Sequence, residues 1–205
     1  GGFSNSSLHF LDLLAEQAAS AISNARIHAK VSKQAKSDTL TELPNRRALD
    51  EQLEQEIQSA HRTGHSFTTV MMDLDGFKTI NDRYGHQVGD QVLRVLSNYL
   101  VQELRTSDFL ARYGGDEFTL VLSKSDLSAT RLVTEKILEK IKKFAFKLPN
   151  GNTITLGISG GIALYPVHGH TASQLLRAAD EALYRAKKHH RGTFAVANPP
   201  TGKLQ

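Results

Sequence analysis

Asp73, Asp116 and Glu117 are the residues whose type and placement could most readily do chemistry. Asp73 lies at the C-terminal end of Ser66–Leu74, a β-branched and apolar run that closes in Met71-Met72-Asp73-Leu74-Asp75. Asp116 and Glu117 follow Gly114-Gly115 between the short runs Phe109–Tyr113 and Glu117–Leu122, the pattern of a hairpin with a tight glycine turn. Where the first strand and the hairpin are neighbours, these carboxylates converge. Convergent carboxylates on rigid strands, completed by phosphate oxygens, suit a hard cation such as magnesium. A cation so held clamps the attacking and leaving oxygens of phosphoryl or nucleotidyl transfer. Acids at strand ends also occur as ordinary loop polars, and both readings stand at this point. Successive strand residues face opposite sides, so one of Asp116 and Glu117 should meet the ion and the other support it. The spacing leaves open which.

The elements that must position these groups follow from periodicity. Leu11, Leu14, Ala18, Ile22, Ala25 and Ala29 recur at steps of three and four, which predicts a long amphipathic helix over 8–36, capped at Ser6 or Ser7. Its small apolar seam suits a coiled-coil stalk, with packing on its own domain as the plainer alternative. The pattern breaks at 37–45, where Pro44 ends what precedes it and Asn45 caps a helix expected over Arg46–His61, stopped by Gly64. A strand over Ser66–Leu74, a helix near Asp90–Leu104, the hairpin, a helix over Leu127–Phe144, a strand over Thr153–Leu164 and a helix over Thr171–Lys188 follow. Phe194–Val196 closes as a short strand. The order β-α-β-β-α-β predicts an α/β (α+β) domain with a ferredoxin-like antiparallel sheet and helices on one face. That fold serves many functions and decides none.

Composition narrows the classes. Of 205 residues, 40% are hydrophobic and 22% charged, enough to bury a core. No apolar run reaches bilayer length, so no membrane insertion is expected, and no signal peptide is visible. The absence of cysteine excludes disulfides and thiolate chemistry and is compatible with a cytoplasmic location. A net charge of +4 suits an anionic partner such as a nucleotide but is too mild and scattered for nucleic acid. Pairs at His61 and His65, His168 and His170, and His189 and His190 lack a clear third ligand and read as exposed loop polarity.

Four ordered blocks resemble the GGDEF family of diguanylate cyclases. They are the signature Arg112-Tyr113-Gly114-Gly115-Asp116-Glu117-Phe118, the segment Asp73 to Asp90, the opening Asp38-Thr39-Leu40-Thr41-Glu42-Leu43-Pro44-Asn45-Arg46, and Ala179-Asp180-Glu181 through Lys187. Together they span 38 to about 192. The resemblance implies the nucleotidyl-cyclase version of the ferredoxin-like core over 38–198, with 1–37 as a signalling helix or linker and 199–205 as a flexible tail. Residues 8–30 also resemble the last helix of a GAF-type sensor domain.

The resemblance implies synthesis of cyclic di-GMP from two GTP, with release of two pyrophosphates, at the interface of a homodimer. By that likeness Asp73, the Leu74 carbonyl and Asp116 ligate Mg2+, with Mn2+ as the alternative cofactor. Asp116 matches the proposed base for the attacking 3′-hydroxyl, Glu117 supports it, and Lys78 stabilises charge on the phosphate. Gly114 and Gly115 let backbone approach the phosphates. Asn81 and Asp90 read the guanine edge, the amide offering donor and acceptor and the carboxylate accepting from N1 and N2. His86 matches a substrate contact, and Lys187 and Arg191 match residues that reach the β- and γ-phosphates. Asp180 reads as a structural helix residue.

Plainer roles exist for each: a turn former at Asn81, a helix cap at His86, and a complement to the helix dipole at Lys187 and Arg191. Arg105 and Asp108 match the family's R-x-x-D inhibitory product site, with a helix-end ion pair as the plainer reading and Arg131 or Lys136 as an added basic contact. Glu42 stands where glycine is common, Gly160 where an apolar residue is usual, and His190-Arg191-Gly192 in place of Gly-Arg-Asn. A non-catalytic module that binds GTP or cyclic di-GMP is the alternative reading, with a nucleic-acid-binding ferredoxin-like domain as a third.

Overall fold

The computed structural model describes residues 36–199 and four further positions, Gln17, Ala19, Ser20 and Ile22. The chain divides into two compact units, Gly1–Ser37 and Asp38–Gln205. In the first, the four isolated positions are helical and exposed. The rest of the helix expected over 8–36, its stalk and sensor readings, and the tail beyond residue 199 lie outside the described residues.

The second unit opens with a tight turn. Asp38 takes the backbone N–H and hydroxyl of Thr41 at 2.8 and 2.7 Å. Glu42, where glycine is common, has φ 61°, the left-handed region that glycine occupies freely and other residues rarely. The sequence departure therefore loads strain on the turn. Helix α1 (Arg46–Thr63) follows, its start capped by Asn45 accepting from the Ala48 N–H and its end set by Gly64 in the left-handed region.

Strand β1 (Phe67–Asp75) is buried along all but its last residue. It is central: β2 (Asp108–Gly114) and β3 (Glu117–Leu122) lie on one side, and β6 (Gly157–Tyr165) and β7 (Phe194–Val196) on the other, giving the order β2-β3-β1-β6-β7. Along β2-β3-β1-β6 each strand is antiparallel to its neighbour, in the ferredoxin-like order, and β7 adds in parallel to β6.

Three expectations are corrected. The single helix near Asp90–Leu104 is the second of two, α2 (Phe77–Tyr84) and α3 (His86–Val101), separated by Gly85 at φ 83° and ψ 159°. The strand expected over Thr153–Leu164 is β6 plus a separate two-residue strand, β5 (Thr153–Ile154), paired with β4 (Phe146–Lys147). Helices also cover both faces of the sheet. Val70, Met72 and Leu74 of β1 pack with α3 and α4 (Leu127–Lys143) in one core, while Phe67 and Met71 pack with α1 and α5 (Ala172–His189) in another. A strand apolar on both sides needs cover on both, and the flanking helices provide it. Among the described residues no helix is long and apolar enough to cross a membrane.

Candidate active site

The C-terminal end of β1 meets the turn of the β2–β3 hairpin. Asp73 and Glu117 are directly opposed across β1 and β3, so their side chains share one face. Asp116 sits in the turn itself, and its carbonyl accepts the Leu74 N–H at 3.3 Å, which ties the turn to the strand end. Glu117 follows the strand face of Asp73, and Asp116 escapes alternation by lying in the turn. The turn itself is pinned by Arg112, to which the signature assigned no role. Arg112 donates two hydrogen bonds to the Gly115 carbonyl, at 2.9 and 2.7 Å, and a third to Asp38 at 2.9 Å. Burial alone would raise the Asp38 carboxyl, but Thr41 and the Arg112 guanidinium outweigh it and hold the group below its ordinary value.

Helix α5 returns along this face and delivers Lys187, whose Nζ lies 2.6 Å from Asp73 Oδ2. The electrostatics are those of crowded acids. Burial pushes the Asp73 carboxyl up, repulsion from Asp116 and Asp75 adds to it, and Lys187 opposes. Glu117 is pushed up by burial and then by Asp73 and Asp116. Among the described residues no three acidic or imidazole side chains close on one point. The available set is therefore two carboxylates, a strand-end carbonyl and whatever the substrate brings. That is the mode in which magnesium is usually held, through one or two carboxylates plus phosphates. The mutual repulsion of the acids is what such a cation relieves, so the donor set fits it.

The other candidates fall at defined places. Lys78 is exposed on the first turn of α2. Asn81, also on α2, has a buried Oδ1 with no partner, directly against Gly89 of α3. Asp90 is exposed on α3, one turn on from His86. The cap of α3 is Gly85 and no side chain bonds there, so His86 is not a cap. Among the described residues, chain neighbours aside, no atom stands within 4 Å of where a Cβ would lie on Gly114 or Gly115, and Gly115 has φ 53°. The protein interior does not demand glycine at 114; the space in front of the turn is open. Asp180 is exposed on α5 and near enough to Glu117 to repel it.

Arg191 is exposed beyond the end of α5, in a loop held by Asp75, Ser159 and Thr193. Its neighbour Gly192 has φ 75°, a left-handed conformation that glycine takes freely and asparagine more readily than other residues with a side chain, so both residue types suit this backbone. Gly160 is explained by its partner: a Cβ there would fall 2.2 Å from the ring of Phe194, directly opposite on β7.

Away from this site, Arg105 and Asp108 form the turn entering β2. Asp108 accepts the backbone N–H of Arg105 at 3.0 Å, and among the described residues the Arg105 guanidinium makes no ion pair, so the helix-end pair is not formed. Both line a groove of about 720 Å³ with Lys136; Arg131 does not contribute. The histidines are corrected in part. His168 is buried and its Nδ1 accepts the Leu164 N–H at 2.8 Å, and His65 bonds Glu56 at 2.9 Å, so both are structural rather than exposed loop polars.

Comparison with known proteins identifies the family of the chain. Residues 35–193 match the family model described as diguanylate cyclase, GGDEF domain. The chain is 41% identical over 155 residues to diguanylate cyclase DosC of Escherichia coli, covering 75% of this chain and 33% of that protein. It is 40% identical over 162 residues to diguanylate cyclase DgcP of Pseudomonas aeruginosa, covering 78% and 24%. It thus spans a third or less of these relatives. The solved GGDEF domain of TpbB from Pseudomonas aeruginosa superposes with a TM-score of 0.74 at 36% identity, covering 78% of this chain and 99% of that one. The coiled coil and GGDEF domain of DgcB from Caulobacter crescentus, solved with cyclic di-GMP, gives 0.78 at 28% identity, covering 91% and 99%.

Proposed function

Since the chain belongs to the GGDEF family of diguanylate cyclases, we propose that residues 38–198 form a catalytic domain that condenses two GTP into cyclic di-GMP and two pyrophosphates. The observation that carries this reading is the opposition of Asp73 and Glu117 on one face at the mouth of the hairpin, with Asp116 in the turn close enough to repel both and Lys187 brought to Asp73 by α5. Asp73, Asp116 and the Leu74 carbonyl would hold magnesium, or manganese, which supplies neutralisation of the triphosphate charge.

The chain's own residues do the rest. Asn81 and Asp90 orient the guanine, and Lys187 and Arg191 hold the β- and γ-phosphates. Asp116 takes the proton from the 3′-hydroxyl, with Glu117 maintaining the local negative field, and Lys78 offsets charge on the reacting phosphate. One domain holds one GTP. Two copies face each other so that the 3′-oxygen of one substrate bonds to the α-phosphorus of the other while the bond to pyrophosphate breaks in line. Rate then comes from positioning and charge stabilisation. Residues 1–37 act as the linker that sets this pairing, a reading supported by the match to a relative solved with its coiled coil. Product returning to Arg105 and Asp108 restrains the enzyme, and the substrate places it in the cytoplasm.

The test is incubation of the chain with GTP and magnesium at several protein concentrations, alongside Asp116→Asn, with products separated by chromatography. Cyclic di-GMP that rises faster than linearly with protein and is lost in the variant is the expected result. Nucleotide binding with no product at any concentration would move the reading to a non-catalytic receptor.

A further inference from the structure

Asp75 is acidic, lies two residues beyond Asp73 on the same face of β1, and has no part in the chemistry above. Its Oδ2 accepts the Ser159 hydroxyl at 2.7 Å and the Gly192 backbone N–H at 3.0 Å. The same N–H also reaches Ser159 Oγ at 3.0 Å, closing a three-membered knot between β1, β6 and the loop after α5. Ser159 is fully buried and directly opposite Asp73, so the knot abuts the acidic site. A Cβ on Gly157 would lie 3.2 Å from the Asp75 carboxylate, so that glycine leaves the side chain its place.

The held loop carries Arg191. It is bounded by α5, which ends at His189, and by the pairing of Gly160 N–H with the Thr193 carbonyl at 2.9 Å. Between those two anchors Gly192 turns through φ 75°, and among the described residues its N–H is bonded to Asp75 and Ser159. The Thr193 hydroxyl on the His190 carbonyl, at 2.6 Å, ties the two ends of the loop to each other; the bonds to Asp75 and Ser159 are what tie Gly192 itself to β1 and β6, and without them the guanidinium loses that part of its base. A neutral acceptor would satisfy one N–H. A carboxylate gives a charge-assisted bond roughly twice as strong, at the cost of leaving its Oδ1 buried without a partner.

We propose that Asp75 is a positioning residue: acting through Gly192 and Ser159, it fixes the 190–193 loop so that Arg191 is aimed at the terminal phosphates of the nucleotide. The proposal rests on the reading of Arg191 as a phosphate-binding residue. Its test is the ratio of affinities for 3′-deoxy-GTP and 3′-deoxy-GMP, measured by calorimetry with magnesium. Neither nucleotide can condense, and only the first carries β- and γ-phosphates.

Arg191→Ala should lower the ratio about tenfold, the loss of one charged contact. Asp75→Ala should lower it to a similar degree, Asp75→Asn should restore most of it, and the double variant Asp75→Ala with Arg191→Ala should be no worse than Arg191→Ala alone. Additive losses, or an equal fall in both affinities, would show a merely structural role and overturn the proposal. A ratio unmoved in Arg191→Ala overturns the phosphate reading and this proposal together, whereas one moved in Arg191→Ala but not in Asp75→Ala sinks the proposal alone. Should Asp75→Ala fail to fold, Ser159→Ala removes one of the two acceptors, and a ratio it leaves unchanged overturns the proposal.

Discussion

Replacing Gly89 by alanine separates guanine recognition by Asn81 from a role in shaping the turn. A Cβ at position 89 would lie 1.9 Å from Asn81 Oδ1, 3.1 Å from its Cγ and 3.2 Å from Phe77 Cζ. Ordinary contact begins at 3.4 Å, so the amide must retreat by about 1.5 Å. A hydrogen bond to a base edge does not survive that displacement. Asn81 offers the base a donor and an acceptor, each worth about 0.5–1.5 kcal/mol, so the loss is about 1–3 kcal/mol, or roughly 5- to 150-fold in affinity.

The fold should tolerate the change. The obstructing atoms are the end of a short side chain and a ring edge, and Gly→Ala inside α3 gains about 0.5–1 kcal/mol of helix stability. The assay is equilibrium binding of 3′-deoxy-GTP and 3′-deoxy-ATP, with urea unfolding in parallel. The expected result is a fall in guanine affinity close to that of Asn81→Ala, little change for adenine, and an unfolding free energy within about 1 kcal/mol of the parent. A guanine-to-adenine ratio unchanged in Gly89→Ala would refute the reasoning, and Asn81 would revert to a turn former.

Gly161→Ala should behave oppositely. Its Cβ would fall 2.0 and 2.3 Å from the Ala179 carbonyl and the Leu183 nitrogen, backbone that cannot step aside, so α5 must lift from the sheet at a cost of about 1–3 kcal/mol by urea unfolding, with loss of activity. Glu117→Gln should stabilise the nucleotide-free protein at pH 7 by up to about 0.5 kcal/mol, solvent screening keeping the gain small, while lowering activity, because it removes a partly buried charge repelled by Asp73 and Asp116. The folded-state value of Glu117 lies above its ordinary one, so its stabilising contribution is full at low pH and lost as pH rises through that value. Unfolding curves at acid pH should therefore show the gain from Gln vanish. His168 runs the other way. Burial holds its imidazole below the ordinary value, and its Nδ1 already accepts a backbone N–H. Stability should thus fall as pH drops below about 6.5, and His168→Asn should shrink that fall.

The sequence alone determined the features that arise within a few residues of one another. Asn45 and Gly64 bound α1 because a side-chain acceptor and a left-handed glycine are local devices. The hairpin followed from two glycines between apolar runs, and the β-α-β-β-α-β order from periodicity. Four motif blocks carried the family and most site residues, since residue type limits what chemistry a position can do. Gly85 hid the break between α2 and α3, because the motif around it reads as a loop, and β4 and β5 are too short for any period to register.

Only the tertiary structure decided which groups meet. The opposition of Asp73 and Glu117 is a matter of sheet register, and a slip of one residue would send one of them to the other face. Arg112 on Asp38, Lys187 on Asp73, and Asp75 on Gly192 join segments far apart in the chain, the last pair 117 residues apart. Such contacts have no signature in local spacing. They exist because packing brings those backbones together, α5 and the loop after it against β1 and β6, and the 38–45 turn against β2, where the Arg112 N–H meets the Pro44 carbonyl at 2.9 Å.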